Sequence, residues 1–274
     1  MHARVRVDGH ELDVDLSRPV DLAIELDFAG AQPRHFGAPR ASSRAYETPG
    51  FGFNGSVERG ASCNCAVILL IPHCNGTHTE CAGHLTRERL DAWRVAPAGL
   101  VAALLLSVEP EEPQSEGSEP PAQPQDRLVT RRALERSWPR AAPFAARALI
   151  IRTLPNDPGK RTRDYTTRNP PYLSQEAARL MVERGIEHLV VDLPSIDRAH
   201  DGGRLTAHRI FFGLPPGEVQ LAAAERAQAT VTELAFIPDA AADGAYLLEL
   251  QVPALSGDAV PSRPLLYPLA AGAA

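Results

Sequence analysis

Between His73 and His84 the chain reads H-C-N-G-T-H-T-E-C-A-G-H, placing three imidazoles, a carboxylate and two thiols within twelve residues. That density of ligand groups points to a metal and constrains the fold more than any other stretch. The apolar run Ala66 to Ile71 precedes it and is closed by Pro72, which predicts a strand covered on both faces with the cluster at its end. His78 and Glu80 are two residues apart, so in extended chain both side chains leave on one face; Gly76 and Gly83 argue against a continuous helix. Imidazole nitrogen with carboxylate oxygen suits zinc, manganese or iron.

All four cysteines, Cys63, Cys65, Cys74 and Cys81, crowd into nineteen residues. This spacing fits a metal or redox site in a reducing, cytoplasmic setting better than a disulfide framework. Cys63-x-Cys65 lacks the two-residue gap of a zinc knuckle. Lys160 is the only lysine and lies in a polar loop with Asp157, Arg161 and Arg163, which argues against Schiff-base and P-loop chemistry. A net charge of −6, with acids and arginines spread along the chain, argues against nucleic acid as a partner. The longest apolar stretch, 100–106, is far short of the roughly 20 residues a membrane helix needs, and no signal-like segment follows Met1. With 274 residues, 44% of them hydrophobic, a single domain spanning 1–274 is expected.

Alternation at Val5 to Val7 and Leu12 to Leu16 predicts an opening hairpin turning near Asp8-Gly9. Residues 28–60 read as a long ordered loop over the site. Their G-x-G-x-x-G at Gly50 to Gly55 follows Pro49 instead of a strand and is set aside as a dinucleotide signal. A short helix is expected within 85–95, while 98–108 is an apolar element of undecided type. Residues 109–126 hold six acids, five prolines and no base, which predicts a disordered, solvated insertion. Ala148 to Thr153 reads as a buried strand, Ser174 to Gly185 as a capped helix, and His188 to Leu193 as a second strand parallel to the first. Asp192, Ser195 and Asp197 then fall at that strand's carboxyl end, where sites in such folds gather. The expected class is therefore α/β.

G-T-H-T-E-C-A-G-H resembles the signature H-x-G-T-H-x-D-x-P-x-H of the metal-dependent cyclase and bacterial kynurenine formamidase family. Gly76, Thr77, His78 and His84 fall on it directly, Glu80 stands for its aspartate, Ala82 for its proline and Cys74 for its first histidine. Further matches run in order: Asp15-Leu16-Ser17 with Pro19 resembles the family's opening, and Leu193 to Asp197 its D-x-P-S-x-D segment. Ala207-His208-Arg209 resembles its next histidine, Glu233 its late glutamate and Pro261-Ser262-Arg263 its close.

The resemblance implies a single-domain mixed sheet or barrel-like core with flanking helices, of the swivelling β/β/α type, assembled as a homodimer or homotetramer. It implies Cys74, His78, Glu80, His208 and Glu233 as metal ligands, His84 as the proton-transfer group, and Thr77, Ser195 and Asp197 as substrate-side or ligand-orienting residues. The activity implied is hydrolysis, by metal-activated water, of a small molecule carrying a non-peptide amide, formamide, cyclic imide or lactone-type carbonyl. The cofactor is a divalent metal, zinc first and manganese second. A family member that binds metal without turnover is the alternative, motivated by the missing first histidine. Strand alternation favours Cys74 for that place, with a thiolate moving preference toward zinc; His73 reaches it only if the chain bulges near Asn75.

Overall fold

The computed structural model describes residues 1–269 apart from 8, 115, 141 and 143. Nine strands form one curled, half-barrel mixed sheet, in the order 259–261, 78–81, 230–233, 188–191, 148–153, 100–108, 244–251, 263–268 and 20–21. The four strands from 230–233 to 100–108 run parallel, and the outer ones pair antiparallel. Strand alternation explains the apolar runs. Leu104, Leu106, Leu149, Ile151, Leu189 and Val191 pack on one face with the helices, whereas Val101, Ala103, Leu105, Ala148, Ile150 and Val190 pack on the other. A strand buried on both faces reads as continuously hydrophobic.

The helices are short: α1 (Ala92–Val95), α2 (Arg131–Ser137), α3 (Gln175–Glu183) and α4 (Thr206–Phe212). Ser174 caps α3 by accepting from Ala177 N, and Gly185 at φ 74° ends that turn in a conformation glycine adopts freely. The helix lies between Ala148–Thr153 and His188–Val191, which pair parallel with Ala148 opposite His188, as the sequence predicts. The opening hairpin is present, with His2 opposite Asp15 and Val7 opposite His10; its turn residue Asp8 lies outside the described residues. The element at 98–108 is the strand Leu100–Val108, and the helix expected within 85–95 contracts to α1. No helix among the described residues is long and apolar enough to cross a membrane.

Three expectations are corrected. Ala66–Leu69 is not a buried strand: it pairs only with Ser42–Ala45, in an exposed two-stranded ribbon on which Ile68 is 56% and Leu69 65% accessible. The described residues of 109–126 stay mostly at the surface, but they are tied to the body of the protein and do not form a disordered insertion. Glu116 accepts hydrogen bonds from Arg131 N, Arg132 N and Ser174 Oγ, while Glu111 pairs with Arg132 and Arg136. Asp126, fully buried, accepts from Gln123 N, Asn169 Nδ2 and Tyr172 Oη. The acids find basic and amide partners on the body of the protein. Lys160 is likewise no polar-loop residue. Its Nζ is buried, donating to Thr153 O at 2.6 Å and to Asp192 Oδ2 at 2.7 Å.

Candidate metal centre

The site forms where two sheet neighbours run in opposite directions. His78 opens the buried strand His78–Cys81 and lies opposite Glu233, the last residue of Thr230–Glu233; Glu80 lies opposite Val231. Cross-strand partners share a face, so His78, Glu80 and Glu233 converge on one side of the sheet. Thr79 and Thr232 point to the other side, where their hydroxyls meet at 2.7 Å. The helix α4 brings His208, and the turn after His188–Val191 brings Ser195 and Asp197.

Three groups of possible ligands result, each with its ligand atoms within 4.8 Å of one another: the half-buried His73, His84 and Asp258, and two more deeply buried ones, His73, His78 and Glu80, and Glu80, His208 and Glu233. Glu80 belongs to both of the deeper groups. His78 Nδ1 donates to Gly76 O at 3.0 Å, and His208 Nδ1 faces Asp197 Oδ2 at 2.7 Å. A carbonyl or a carboxylate accepts only, so each Nδ1 carries the proton and each Nε2 presents its lone pair inward. Both Nε2 atoms are buried without a hydrogen-bond partner, as is Glu80 Oε1. His208 Nε2 lies 2.6 Å from that oxygen but out of hydrogen-bond alignment, and His78 Nε2 lies 3.5 Å from Glu233 Oε2. Opposite carboxylate oxygens in a buried pocket, each Nε2 must either take up a second proton or share its lone pair with a cation, and the donor set fits a metal.

The electrostatics agree. Burial works against the charge on His208, yet Glu80, Asp197 and Glu233 push its pKa well above the usual value. Burial likewise disfavours the Glu80 anion, but His84, His208 and His73 hold it well below the ordinary carboxylate range. His73 is depressed by burial and then raised to about 10 by hydrogen bonding to Asp258 and Glu80. The cluster retains protons where a metal would otherwise supply the positive charge.

His84 lines a cavity of about 590 Å³ that also reaches His73, Glu80, His208 and Glu233. Its Nδ1 lies 3.3 Å from Asp258 Oδ2, which leaves Nε2 as the proton-accepting atom. Ser195 lines the same cavity, and its Oγ accepts from Asp197 N. Asp197 also accepts from the backbone of Ala207 and His208, so one carboxylate fixes both the start of α4 and the ring of its histidine. Thr77 does not line the cavity: its hydroxyl accepts from Ile24 N and donates to Leu234 O, tying the ligand strand to its neighbours.

The Cyclase family, described as "Putative cyclase", matches residues 14–198. The chain belongs to the cyclase family. Solved structures of similar fold include "The Structure Of Potential Metal-Dependent Hydrolase With Cyclase Activity", at 15% identity and TM-score 0.58, covering 91% of this chain and 97% of that one. A predicted metal-dependent hydrolase from Bacillus stearothermophilus aligns at 15% identity and TM-score 0.56, covering 91% and 98%. Isatin hydrolase A from Labrenzia aggregata aligns at 18% and 0.59, covering 91% and 93%. No curated protein matches the sequence.

Against the family signature, the cyclase chain departs at its first ligand place. Counting and alternation point to Cys74, but Pro72–Cys74 is a 3-10 turn, not extended strand, and the turn swings His73 into the site. His73 Nδ1 lies 2.8 Å from Glu80 Oε2, while Cys74 belongs to none of the three ligand groups among the described residues. Burial and the nearby Glu233 charge raise the Cys74 thiol, disfavouring a thiolate. Nor do the cysteines assemble: Cys63 and Cys65 are exposed, and Cys81 donates to Leu90 O.

Asp258 escapes sequence reasoning altogether. It lies 2.7 Å from His73 Nε2 and touches His84 as well, and those two contacts lower its own pKa. Only sheet register reveals it, because Ala259 pairs with Glu80 and so carries Asp258 to the cluster. His208, Glu233 and Asp258 all lie beyond the residues the family matches.

Proposed function

We propose that this cyclase-family chain is a metal-dependent hydrolase of a small molecule with a non-peptide amide, formamide, cyclic imide or lactone-type carbonyl. The observation that carries the proposal is the pair of buried, partnerless Nε2 atoms of His78 and His208 on either side of Glu80. His73, His78 and Glu80 would hold one cation, and Glu80, His208 and Glu233 a second. Two imidazoles with one carboxylate suit zinc, whereas one imidazole with two carboxylates is a harder set that also accepts manganese. A divalent cation bound there supplies Lewis-acid polarisation of a carbonyl and a water acidic enough to attack near neutral pH.

The chain's own residues do the rest. Asp197 holds His208 in one tautomer, the Ile196 amide donates to Glu233 Oε1 at 2.8 Å, and Asp258 orients His73 and His84. His84 takes a proton at Nε2 and returns it to the leaving nitrogen or oxygen. Burial of the ligand groups keeps bulk water from competing. An alternative without turnover rests on the absent first histidine; His73, carried by the 3-10 turn to 2.8 Å from Glu80, supports the catalytic reading instead. We further propose a homodimer or homotetramer, supported by the apolar side chains exposed on the 66–69 ribbon.

The test is metal analysis of the purified chain beside turnover of formamides, cyclic imides and lactones before and after chelation. One to two divalent ions per chain, and activity lost on chelation and restored by zinc or manganese, are expected. A chain that takes up no divalent ion overturns the proposal.

A further inference from the structure

The cavity at the metal centre has a second wall, built by Ser195, residues 198–203 and Leu205, and Phe36 lines it as well. Among the described residues Arg198 is the only arginine or lysine lining the cavity. Its side chain is only 13% accessible. Its Nε lies 3.4 Å from Asp126 Oδ2, a loose contact to a carboxylate already accepting from Gln123 N, Asn169 Nδ2 and Tyr172 Oη. Neither Nη has a hydrogen-bond partner among the described residues. The wall's acid, Asp201, is engaged elsewhere, accepting from Gly203 N and Leu205 N.

The guanidinium is mostly shielded by the protein, yet its two Nη groups, unspent on protein partners, reach the solvent of the cavity, so a ligand entering there finds two donors free to bind it. Its planar fork matches a carboxylate through two parallel hydrogen bonds. Arg198's one positive charge suits a monoanion; on this wall, away from the histidines of the metal centre, a phosphate dianion would call for a second guanidinium or ammonium, and no other arginine or lysine lines the cavity among the described residues. Resting on the hydrolase reading above, we propose that the substrate carries a carboxylate remote from the scissile carbonyl, and that Arg198 binds it through Nη1 and Nη2. The carbonyl then falls at the opposite wall, beside His84, Glu80 and His208. Arg198 is thereby the residue that separates anionic from neutral substrates.

The first test needs no turnover. The full chain, stripped of metal by chelation, is titrated by fluorine NMR with 4-fluorobenzoate, its neutral analogue 4-fluorobenzamide and 4-fluorophenyl phosphate, using wild type, Arg198→Lys and Arg198→Met. Wild type is expected to bind the benzoate at least tenfold more tightly than the amide, Arg198→Met to lose that preference and Arg198→Lys to keep part of it. Equal binding of benzoate and amide by wild type, tighter binding of the phosphate, or a preference that survives in Arg198→Met overturns the proposal. Should Arg198→Met fail to fold, the wild-type comparison and Arg198→Lys decide. The second test uses zinc-loaded protein with N-formylanthranilate and formanilide. The ratio of their kcat/KM values should favour the carboxylate in wild type by tenfold or more and fall toward one in Arg198→Met. If neither substrate is hydrolysed while the benzoate preference persists and depends on Arg198, the hydrolase reading fails and the carboxylate site stands. If both are hydrolysed at one rate regardless of Arg198, the hydrolase reading stands and this inference fails.

Discussion

His73 and Glu80 meet at 2.8 Å, Nδ1 to Oε2, across a turn that residue counting assigns to the neighbouring thiol. With Asp258 bonded to the other nitrogen, the His73 ring is clamped between two carboxylates at the edge of the sheet. Replacing it by alanine should strip metal from the group it shares with His78, lowering zinc content by about one ion per chain. Cys74→Ser should leave zinc content and its tolerance of mild peroxide unchanged. Zinc retained by His73→Ala and lost from Cys74→Ser would restore the thiol as the ligand.

Asp197 reaches His208 through ring and backbone together. Asp197→Asn preserves shape but weakens the hold on the ring's tautomer, and orienting partners of this kind are worth about 10–100-fold in metal affinity. Competitive chelation should show a loss of that size at the Glu80, His208 and Glu233 group. An affinity within twofold of wild type would reduce Asp197 to a helix cap.

His188 is buried in a central strand, its Nδ1 2.9 Å from Thr230 Oγ1, and burial lowers its pKa from 6.5 to about 4. The unfolded chain therefore binds this proton first as pH falls. The stabilisation is complete above the unfolded value, declines below it, and is lost once the folded value is passed. Between about pH 8 and about pH 5 the contribution amounts to roughly 2 kcal/mol. Denaturant unfolding at the two pH values should show a smaller acid loss in His188→Gln than in wild type; equal losses would assign the acid sensitivity elsewhere.

The acidic segment 109–126 should not tolerate replacement by a Gly/Ser linker, because the exchange removes Glu116 from the amides that open α2 and Asp126 from its three donors. Asp126→Asn alone should cost on the order of 1–3 kcal/mol, as one buried acceptor of the carboxylate becomes a donor among donors. Thermal unfolding of both proteins checks this, and a linker variant as stable as wild type would return the segment to the status of a spacer.

Much of this was legible in the letters. The strands at 148–153 and 188–191 declare themselves as apolar runs because both faces are covered, and α3 declares itself by its serine cap and terminal glycine. His78 and Glu80 follow from a spacing of two in a strand, and Ser195 with Asp197 from their place after a parallel strand. What failed did so for physical reasons. An apolar run such as 66–69 is the same string whether a sheet covers it or solvent meets it, since periodicity does not name the partner. The 3-10 turn at Pro72–Cys74 breaks the alternation that selected Cys74. Charge counting in 109–126 sees acids without the arginines, amides and hydroxyls that meet them from distant sequence. Asp258 arrives by sheet register, which couples residues 178 apart in the chain, from 80 to 258.

The burial of Lys160 against Asp192 leaves the folded chain without an accessible side-chain amine among the described residues, because this is the only lysine it has. Amine acylation of the native protein should then mark the amino terminus quickly and Lys160 only when the turn at 158–161 lifts away from the ends of two parallel strands. The slow fraction reports how often the turn lifts from the carboxyl ends of two central strands. One chemical tag, followed over time by intact mass, becomes a clock for breathing at the top of the sheet's middle.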